Sequence, residues 1–343
     1  MIAASWPREE PRATRLLHVD AARQRLADGT IEDLRKLLRP GDLLVVNDAA
    51  TLPASLRGVT AAGAPVELRL AGREEDGCWR GVFFGAGDWR TRTEDRPPPP
   101  RVAPGEVLRF DGLRARIERS DRASARLVWL RFDAPEASVW RALYRGGHPV
   151  QYAHTARPLS LWHVQTAYGS RPWAVEAPSA GFPLTWDLLL DLRRERVGLA
   201  RVTHAAGLSS SGEAALDARF PLPERYDIPA DTVREIESAR RNGGRVIAVG
   251  TSVTRALEGA SASGRLAAGA GTTDLLIGPG TRRNVVDAVL TGVHEPGTSH
   301  FALLEAFVPR ELLVRAHAFL EEHGYRGHEF GDAVFVEGLV RQR

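Results

Sequence analysis

The chain has 343 residues, of which 43% are hydrophobic and 26% are charged, and its formal net charge is +3. These values are typical of an ordinary globular chain with one large domain or two, and the single cysteine, Cys78, excludes an internal disulfide and a cysteine metal cluster. The N-terminus MIAASWPREE lacks the apolar core of a signal peptide, and no apolar run approaches the roughly 18 residues that cross a bilayer, so we expect a cytoplasmic protein without a membrane partner.

Residues 1–58 are predicted to form the first part of an α/β domain. Residues 15–19 are typical of a short strand, and the apolar segment DLLVVN, residues 42–47, predicts a strand buried on both faces. Asn47 and Asp48 then stand at the carboxyl end of that strand. Two interpretations stay open for them, because Asn and Asp favour turns as well as ligand sites.

Residues 59–147 show a different pattern, in which apolar and polar residues alternate over short runs. A period of two predicts antiparallel strands with one solvent-facing side, and we interpret this region as a small β-barrel or sandwich inserted into the α/β domain. Strands are predicted at residues 65–70, 78–84, 107–110, 113–119 and 125–132, with a loop at residues 96–106. Either a nucleic-acid-binding face or a solvated sheet surface explains the outward-facing arginines Arg114, Arg116 and Arg131.

In residues 148–343, apolar strands and amphipathic helices alternate, which is typical of α/β architecture. Buried strands are predicted at residues 246–249, 274–277 and 333–337, and helices after Thr185 and at residues 229–241, 285–290 and 312–320. The predicted fold class is therefore α/β, with a parallel or mixed sheet that is flanked by helices and interrupted by an inserted antiparallel β-barrel-like domain.

The stretch GGRVIAVGTSVTRALE, residues 243–258, is predicted to lie at the centre of the sheet. Four apolar residues form a strand buried on both faces, Gly250 gives the turn, and Thr251 or Ser252 is expected to cap the helix that follows. Free backbone N–H groups beside the carboxyl end of a strand suit a phosphate or a carboxylate. An ordinary turn from strand to helix is the alternative.

Several common catalytic motifs are missing from the chain. It contains no Walker-type phosphate loop, no GxGxxG after a strand, no HExxH and no GxSxG. The usual nucleotide-binding, zinc-protease and serine-hydrolase functions therefore have no support.

Five segments resemble one known family, in the same order and over most of the chain. They are GDLLVVNDAATLPASLRG (41–58), QTAYGSRPWAVEAPSAG (165–181), GGRVIAVGTSVTRALE (243–258), TDLLIGPGTRRNVVDAVLTGVHEP (273–296) and GDAVFVE (331–337). The family is the S-adenosylmethionine:tRNA ribosyltransferase-isomerases of queuosine biosynthesis. The resemblance implies an α/β domain with an inserted barrel and a reaction that moves and isomerises the ribosyl part of S-adenosylmethionine. The implied acceptor is the aminomethyl group of a 7-deazaguanine in tRNA, adenine and methionine are released, and no metal is implied.

Some loops depart from the family pattern. Residues 182–185 lack a histidine that the family has after its AAPTAG loop, and VTHAAGLSSSG (202–212) replaces a Gly-rich signature, with His204 one position from a lost histidine. The segment HPVQYAH (148–154) is also altered. A changed acceptor explains these losses, so two alternatives stay open: an enzyme that uses S-adenosylmethionine with a small molecule or no acceptor, and a non-catalytic RNA-binding relative.

The resemblance also implies site residues. The hydrogens next to the sulfonium are acidified, so a modest general base suffices; the candidates are His294 and Glu224, with a structural hydrogen bond as the alternative for His294. Arg255 serves as a ligand clamp or forms a surface pair with Glu258. The residues expected around S-adenosylmethionine are Gln165, Tyr168, Pro178, Ser179, Ala180, Gly181, Gly250, Thr251, Ser252 and Arg255. The partners are S-adenosylmethionine as co-substrate and either tRNA or a small-molecule acceptor, and the oligomeric state stays open.

Overall fold

The computed structural model describes residues 1–339 and consists of β-sheets with flanking helices. The strands are β1 Ile2–Ala3, β2 Arg15–Asp20, β3 Arg25–Thr30, β4 Leu43–Asn47, β5 Ala49–Thr51, β6 Ser55–Val59, β7 Pro65–Arg73, β8 Trp79–Phe84, β9 Val107–Phe110, β10 Leu113–Ser120, β11 Leu127–Phe132, β12 Arg171–Ala174, β13 Gly198–His204, β14 Glu224–Ile228, β15 Val246–Val249, β16 Gly269–Thr273, β17 Ala288–Gly292, β18 Arg326–Gly327 and β19 Ala333–Glu337. The α-helices are α1 Leu34–Leu37, α2 Glu136–Gly146, α3 Trp186–Arg194, α4 Ala214–Asp217, α5 Ala230–Arg241, α6 Thr251–Ala260, α7 Ser299–Leu304 and α8 Arg310–Glu322.

A nine-stranded mixed sheet, in the order β16-β14-β13-β4-β15-β17-β19-β2-β3, forms the centre of the molecule. Its four middle strands, β13, β4, β15 and β17, run parallel to one another. Successive residues of β4 and β15 point to opposite faces, and both faces are apolar, because helices cover each side. One core contains residues of α5, α6, α7 and α8, and the other contains residues of α1 and α3. The predicted strands at 42–47 and 246–249 are confirmed.

A closed six-stranded barrel, in the order β10-β11-β8-β7-β6-β9, interrupts the sheet domain. The inward side chains of these strands form a separate apolar core, to which α2 contributes Val139 and Leu143. The predicted fold class, with its inserted antiparallel barrel, is therefore confirmed. The domain limits at residues 59 and 147 stay a prediction; the first barrel strand, β6, begins at Ser55.

Two local predictions in the C-terminal half are wrong. Residues 274–277 are not a strand: β16 ends at Thr273, and Leu276 is 68% exposed, so this run is not buried on both faces. Residues 285–290 are not a helix, because the segment pairs with β15 and leads into strand β17. The amide of Asp287 donates to the carbonyl oxygen of Val246 at 2.8 Å, and the carboxylate of Asp287 accepts from the amide of Val246. The β-branched residues of this segment suit a strand better than a helix.

The outward-facing arginines of the barrel are exposed, as expected. Arg114 and Arg116 alternate with buried residues along β10, and Arg131 lies on β11 opposite Arg116. Among residues 1–339, no helix has both the length and the apolar character that crossing a bilayer requires.

Candidate active site

A cavity of about 700 Å³ opens where the four parallel strands end. Open α/β sheets bind ligands at this edge, because turns there present backbone amides. The cavity is lined by the turn at residues 177–180, the loop at 206–209, the start of α6, the segment 291–295 after β17, and residues 327–329. Glu224 also reaches it, since β14 runs antiparallel to β13 and so begins at the same edge.

The turn between β15 and α6 forms the floor of the cavity. Gly250 has φ +93° and ψ 156°, a conformation that almost only glycine adopts, and it is itself the N-cap of α6. The predicted side-chain cap is wrong, because neither Thr251 nor Ser252 precedes the helix and Gly250 has no capping side chain. The first amides of α6 have no partner within the helix, so they are available to an anionic ligand group.

A buried carboxylate and guanidinium pair lies beside this turn. Arg255 donates to Oε2 of Glu224, and the amide of Gly207 donates to Oε1 at 2.6 Å. Burial lowers the pKa of Arg255 to about 10. The interpretation of Arg255 and Glu258 as a surface pair is wrong, because the Glu258 carboxylate is buried and accepts hydrogen bonds from the backbone N–H groups of residues 284–286.

His204 lies under this pair at the end of β13. Its Nε2 is 3.3 Å from Oε2 of Glu224. Burial, and then the charge of Arg255, hold the pKa of His204 well below its usual value, so the ring is neutral and this contact is not an ion pair. Within the described residues neither ring nitrogen of His204 makes a hydrogen bond, although the side chain is fully buried.

Two stacked histidines line the wall that follows β17. Nε2 of His294 lies 2.7 Å from Oγ1 of Thr291, and the rings of His294 and His300 stack with centroids 4.9 Å apart. Burial, and then His300, hold the pKa of His294 well below its usual value, and burial, followed by Arg255, lowers that of His300 to about 4. Both rings are therefore neutral near pH 7, so the one of His294 is able to accept a proton.

Glu176 presents a carboxylate on another part of the wall. The hydroxyl of Tyr152 and the amide and hydroxyl of Ser209 all donate to its Oε1. Oε2 has no hydrogen-bond partner among residues 1–339, and burial raises the pKa of this carboxyl group. A carboxylate held in this way accepts a cationic or N–H group of a ligand.

Most of the predicted site residues meet in this one cavity. Those that line it are Pro178, Ser179, Ala180, Glu224, Gly250, Thr251, Ser252, Arg255 and His294. Gln165 does not line it, because its amide group is used in two hydrogen bonds with the backbone of Thr51. Tyr168 packs beneath Gly181, where an added Cβ would collide with the Tyr168 hydroxyl oxygen, and neither residue lines the cavity.

Sequence reasoning missed two wall residues, Glu176 and His300, and the contact of the buried His204 with Glu224. Glu176 directly precedes the predicted APSAG turn, but a single acid in a loop carries no signal of its own. His300 lies in the first turn of α7, a helix that was not predicted. The sequence shows His204 only as a displaced histidine, because its contact with Glu224 joins residues from different strands.

These features define a class of protein: an α/β enzyme with an inserted barrel, whose ligand cavity lies at the carboxyl edge of parallel strands and holds titratable side chains. The chain matches the family described as "Queuosine biosynthesis protein" over residues 1–336. The S-adenosylmethionine:tRNA ribosyltransferase-isomerase of Synechococcus sp. is 36% identical, over 95% of this chain and 90% of that protein. The protein of the same name from Geobacter sulfurreducens is 33% identical, over 98% of this chain and 96% of that protein.

A solved structure agrees with these relatives. The crystal structure of S-adenosylmethionine tRNA ribosyltransferase from Thermotoga maritima superimposes with a TM-score of 0.52 at 26% identity, and covers 97% of this chain and 96% of that one. The chain belongs to the queuosine biosynthesis family of S-adenosylmethionine:tRNA ribosyltransferase-isomerases. The resemblance that five segments indicated is thereby confirmed.

Proposed function

We propose that this protein is an S-adenosylmethionine-dependent ribosyltransferase-isomerase of the queuosine pathway, and that S-adenosylmethionine reacts in the cavity at the carboxyl edge of the sheet. The observation that carries the placement is that the APSAG turn and the turn after β15, which the family resemblance assigned to this ligand, meet in one cavity. We further propose a cytoplasmic location, which suits a tRNA substrate.

The start of α6 is the proposed binding point for the carboxylate of the methionine part. The amides of Thr251 and Ser252 belong to the unpaired first turn, and the helix dipole favours negative charge there. Glu176 is the proposed partner for a cationic group, since its Oε2 is free of hydrogen bonds within the described chain. A cationic ligand group beside Glu176 favours its ionised form, so that the two anchors then carry opposite charge, as a zwitterionic ligand requires.

His294 is the proposed general base. The sulfonium acidifies the hydrogens of the adjacent ribose carbon, and a neutral imidazole accepts one of them as a proton. The contact of 2.7 Å between Nε2 and the Thr291 hydroxyl holds the ring in place, and in the tautomer whose Nε2–H donates to Thr291 the lone pair of Nδ1 is free to take the proton. We assign Glu224 to holding Arg255 rather than to proton transfer, because both of its oxygens already accept hydrogen bonds.

The acceptor is proposed to be a 7-deazaguanine aminomethyl group in tRNA. Exposed arginines on the barrel, Arg114 and Arg116, supply positive charge that suits phosphates. A second candidate is a small-molecule acceptor. One observation favours it: two of the segments that depart from the family, 148–154 and 202–212, contribute Tyr152 and Ser209, which donate hydrogen bonds to Glu176.

One experiment separates these functions. The purified protein is incubated with S-adenosylmethionine, with and without tRNA that carries the deazaguanine, and adenine and methionine are measured. Release that requires the tRNA supports the tRNA-modifying function. Release without tRNA supports the small-molecule candidate or hydrolysis, and no release in either mixture supports a non-catalytic relative.

A further inference from the structure

Two histidines and a glutamate meet at one end of the cavity wall, outside the proposed catalytic residues. Nε2 of His154 lies 2.7 Å from Oε2 of Glu329, and the ring centroids of His154 and His328 are 4.2 Å apart. One potential ligand atom from each of the three residues lies within 4.8 Å of the other two. Within residues 1–339 this is the one group of three or more such side chains that converge in this way.

We propose that His154, His328 and Glu329 form a binding site for a divalent transition metal ion of the zinc class. Two imidazole nitrogens and one carboxylate oxygen are ligands that Zn²⁺ prefers, at about 2.0 to 2.2 Å. A tetrahedral ion at those distances separates its ligands by roughly 3.4 Å. Side-chain rotations that move the donor atoms by on the order of 1 Å therefore complete the site, and one position stays open.

The backbone supports on both sides of the cluster are ordered. His328 has φ +66°, and its carbonyl accepts from the amide of Gly331 at 3.0 Å in the turn between β18 and β19. On the other side, the amide of Thr155 donates to Tyr152 and the amide of Ala156 to Ser5. The histidines thus project from two fixed turns, which lowers the entropy cost of bringing three ligands to one ion.

The carboxylates in the surroundings favour a cation, against the single charge of the N-terminal ammonium that also acts on His328. His328 and Glu329 line the cavity, and so do Glu176 and Glu295. The side chain of His154 is 15% exposed and that of Glu329 is 32% exposed, so an ion has a path from solvent. The single cysteine, Cys78, is buried in the barrel, so it does not compete for the ion at this site.

The site is tested by metal binding alone, without substrate, so its failure is distinguishable from failure of the proposed function. The full chain, with any purification tag removed, is treated with a chelator and dialysed. It is then titrated with Zn²⁺ by calorimetry and with Co²⁺ by visible absorption. We expect one tight site per chain, with the absorption bands of tetrahedral or five-coordinate Co²⁺.

The matched variants decide where the ion binds. His154→Ala and the nearly isosteric Glu329→Gln should each weaken Zn²⁺ binding by at least tenfold and abolish the Co²⁺ bands, with melting curves showing that both variants fold. His323→Ala, which changes an exposed histidine at the end of α8, should bind like the wild type. No stoichiometric Zn²⁺ binding by the wild type would overturn the proposal, and so would affinities unchanged in both cluster variants; the residues would then be a hydrogen-bonded pair with a stacked neighbour.

Discussion

Replacement of His294 by alanine separates a chemical role from a structural one. The side chain makes one neutral hydrogen bond, to Thr291, and one ring stack, on His300. Loss of these contacts costs about 1 kcal/mol for the hydrogen bond and about 1 kcal/mol for the stack. For a chain of this size we therefore expect the melting temperature to fall by only a few degrees. Turnover should fall by roughly a hundredfold or more, the usual scale when a general base is removed.

The assay measures turnover, the affinity for S-adenosylmethionine and the melting temperature of the same preparations. Thr291→Val is the matched control, because it removes the hydrogen bond and keeps the imidazole. Its turnover should lie between those of the wild type and His294→Ala, since the imidazole is no longer held in place by the hydroxyl. The pH profile adds a second test: burial lowers the pKa of His294, so kcat/KM should be constant near neutrality and fall only at a pH well below 6.5.

A structural role for His294 predicts the opposite result. The alanine variant would then lose a similar amount of stability, roughly 1 to 3 kcal/mol, but keep turnover within about threefold of the wild type. The acid limb of the pH profile would also persist in that variant. Either observation would refute the assignment of His294 as the base.

The other predictions concern the residues around it. Arg255→Met should destabilise the fold by about 3 to 5 kcal/mol in urea unfolding, because Glu224 is left buried without its partner. The double variant with Glu224→Gln should recover part of this loss, and full additivity of the two free-energy changes would contradict the pairing. The pKa of His300 is about 4 in the folded chain and 6.5 in the unfolded chain, so the unfolded chain binds a proton at a higher pH than the folded chain does. The free energy of unfolding therefore falls by up to about 3 kcal/mol as the pH decreases from 6.5 to 4. His300→Gln should reduce that slope in thermal melts, with His204 and His294 supplying the remainder, and an unchanged slope would contradict the prediction. Gly250→Ala should lower the free energy of unfolding by about 1 to 3 kcal/mol and weaken S-adenosylmethionine binding in calorimetry, since φ +93° strains a residue with a Cβ. A variant with unchanged stability and affinity would show that the turn relaxes without cost.

The sheet and the barrel were predictable because their patterns are local. Residues 246–249 form a continuous apolar run, and they form a strand with all four residues buried. Along β10 apolar and polar residues alternate, and the strand is buried on one side only. Where local pattern and tertiary pairing disagree, the prediction failed: residues 285–290 have helical spacing of apolar residues, but pairing with β15 and β19 makes β17 a strand.

The interior of the site was less predictable, because it depends on partners that are distant in sequence. Glu224 and Arg255 are 31 residues apart, and His154 and Glu329 are 175 apart. Nothing in either segment indicates which partner it meets. Gln165 shows the reverse case, in which a polar side chain that the resemblance placed at the ligand instead holds the backbone of β5.

Calorimetric titration with S-adenosylmethionine tests the placement of the ligand most directly. Ser252→Trp fills the cavity beside the start of α6, and Ser263→Trp adds the same bulk at an exposed position outside it. We predict that wild type and Ser263→Trp bind S-adenosylmethionine with equal affinity, and that Ser252→Trp remains folded but shows no binding. Unchanged affinity in a folded Ser252→Trp variant would contradict the account, because the ligand would then bind elsewhere on the protein.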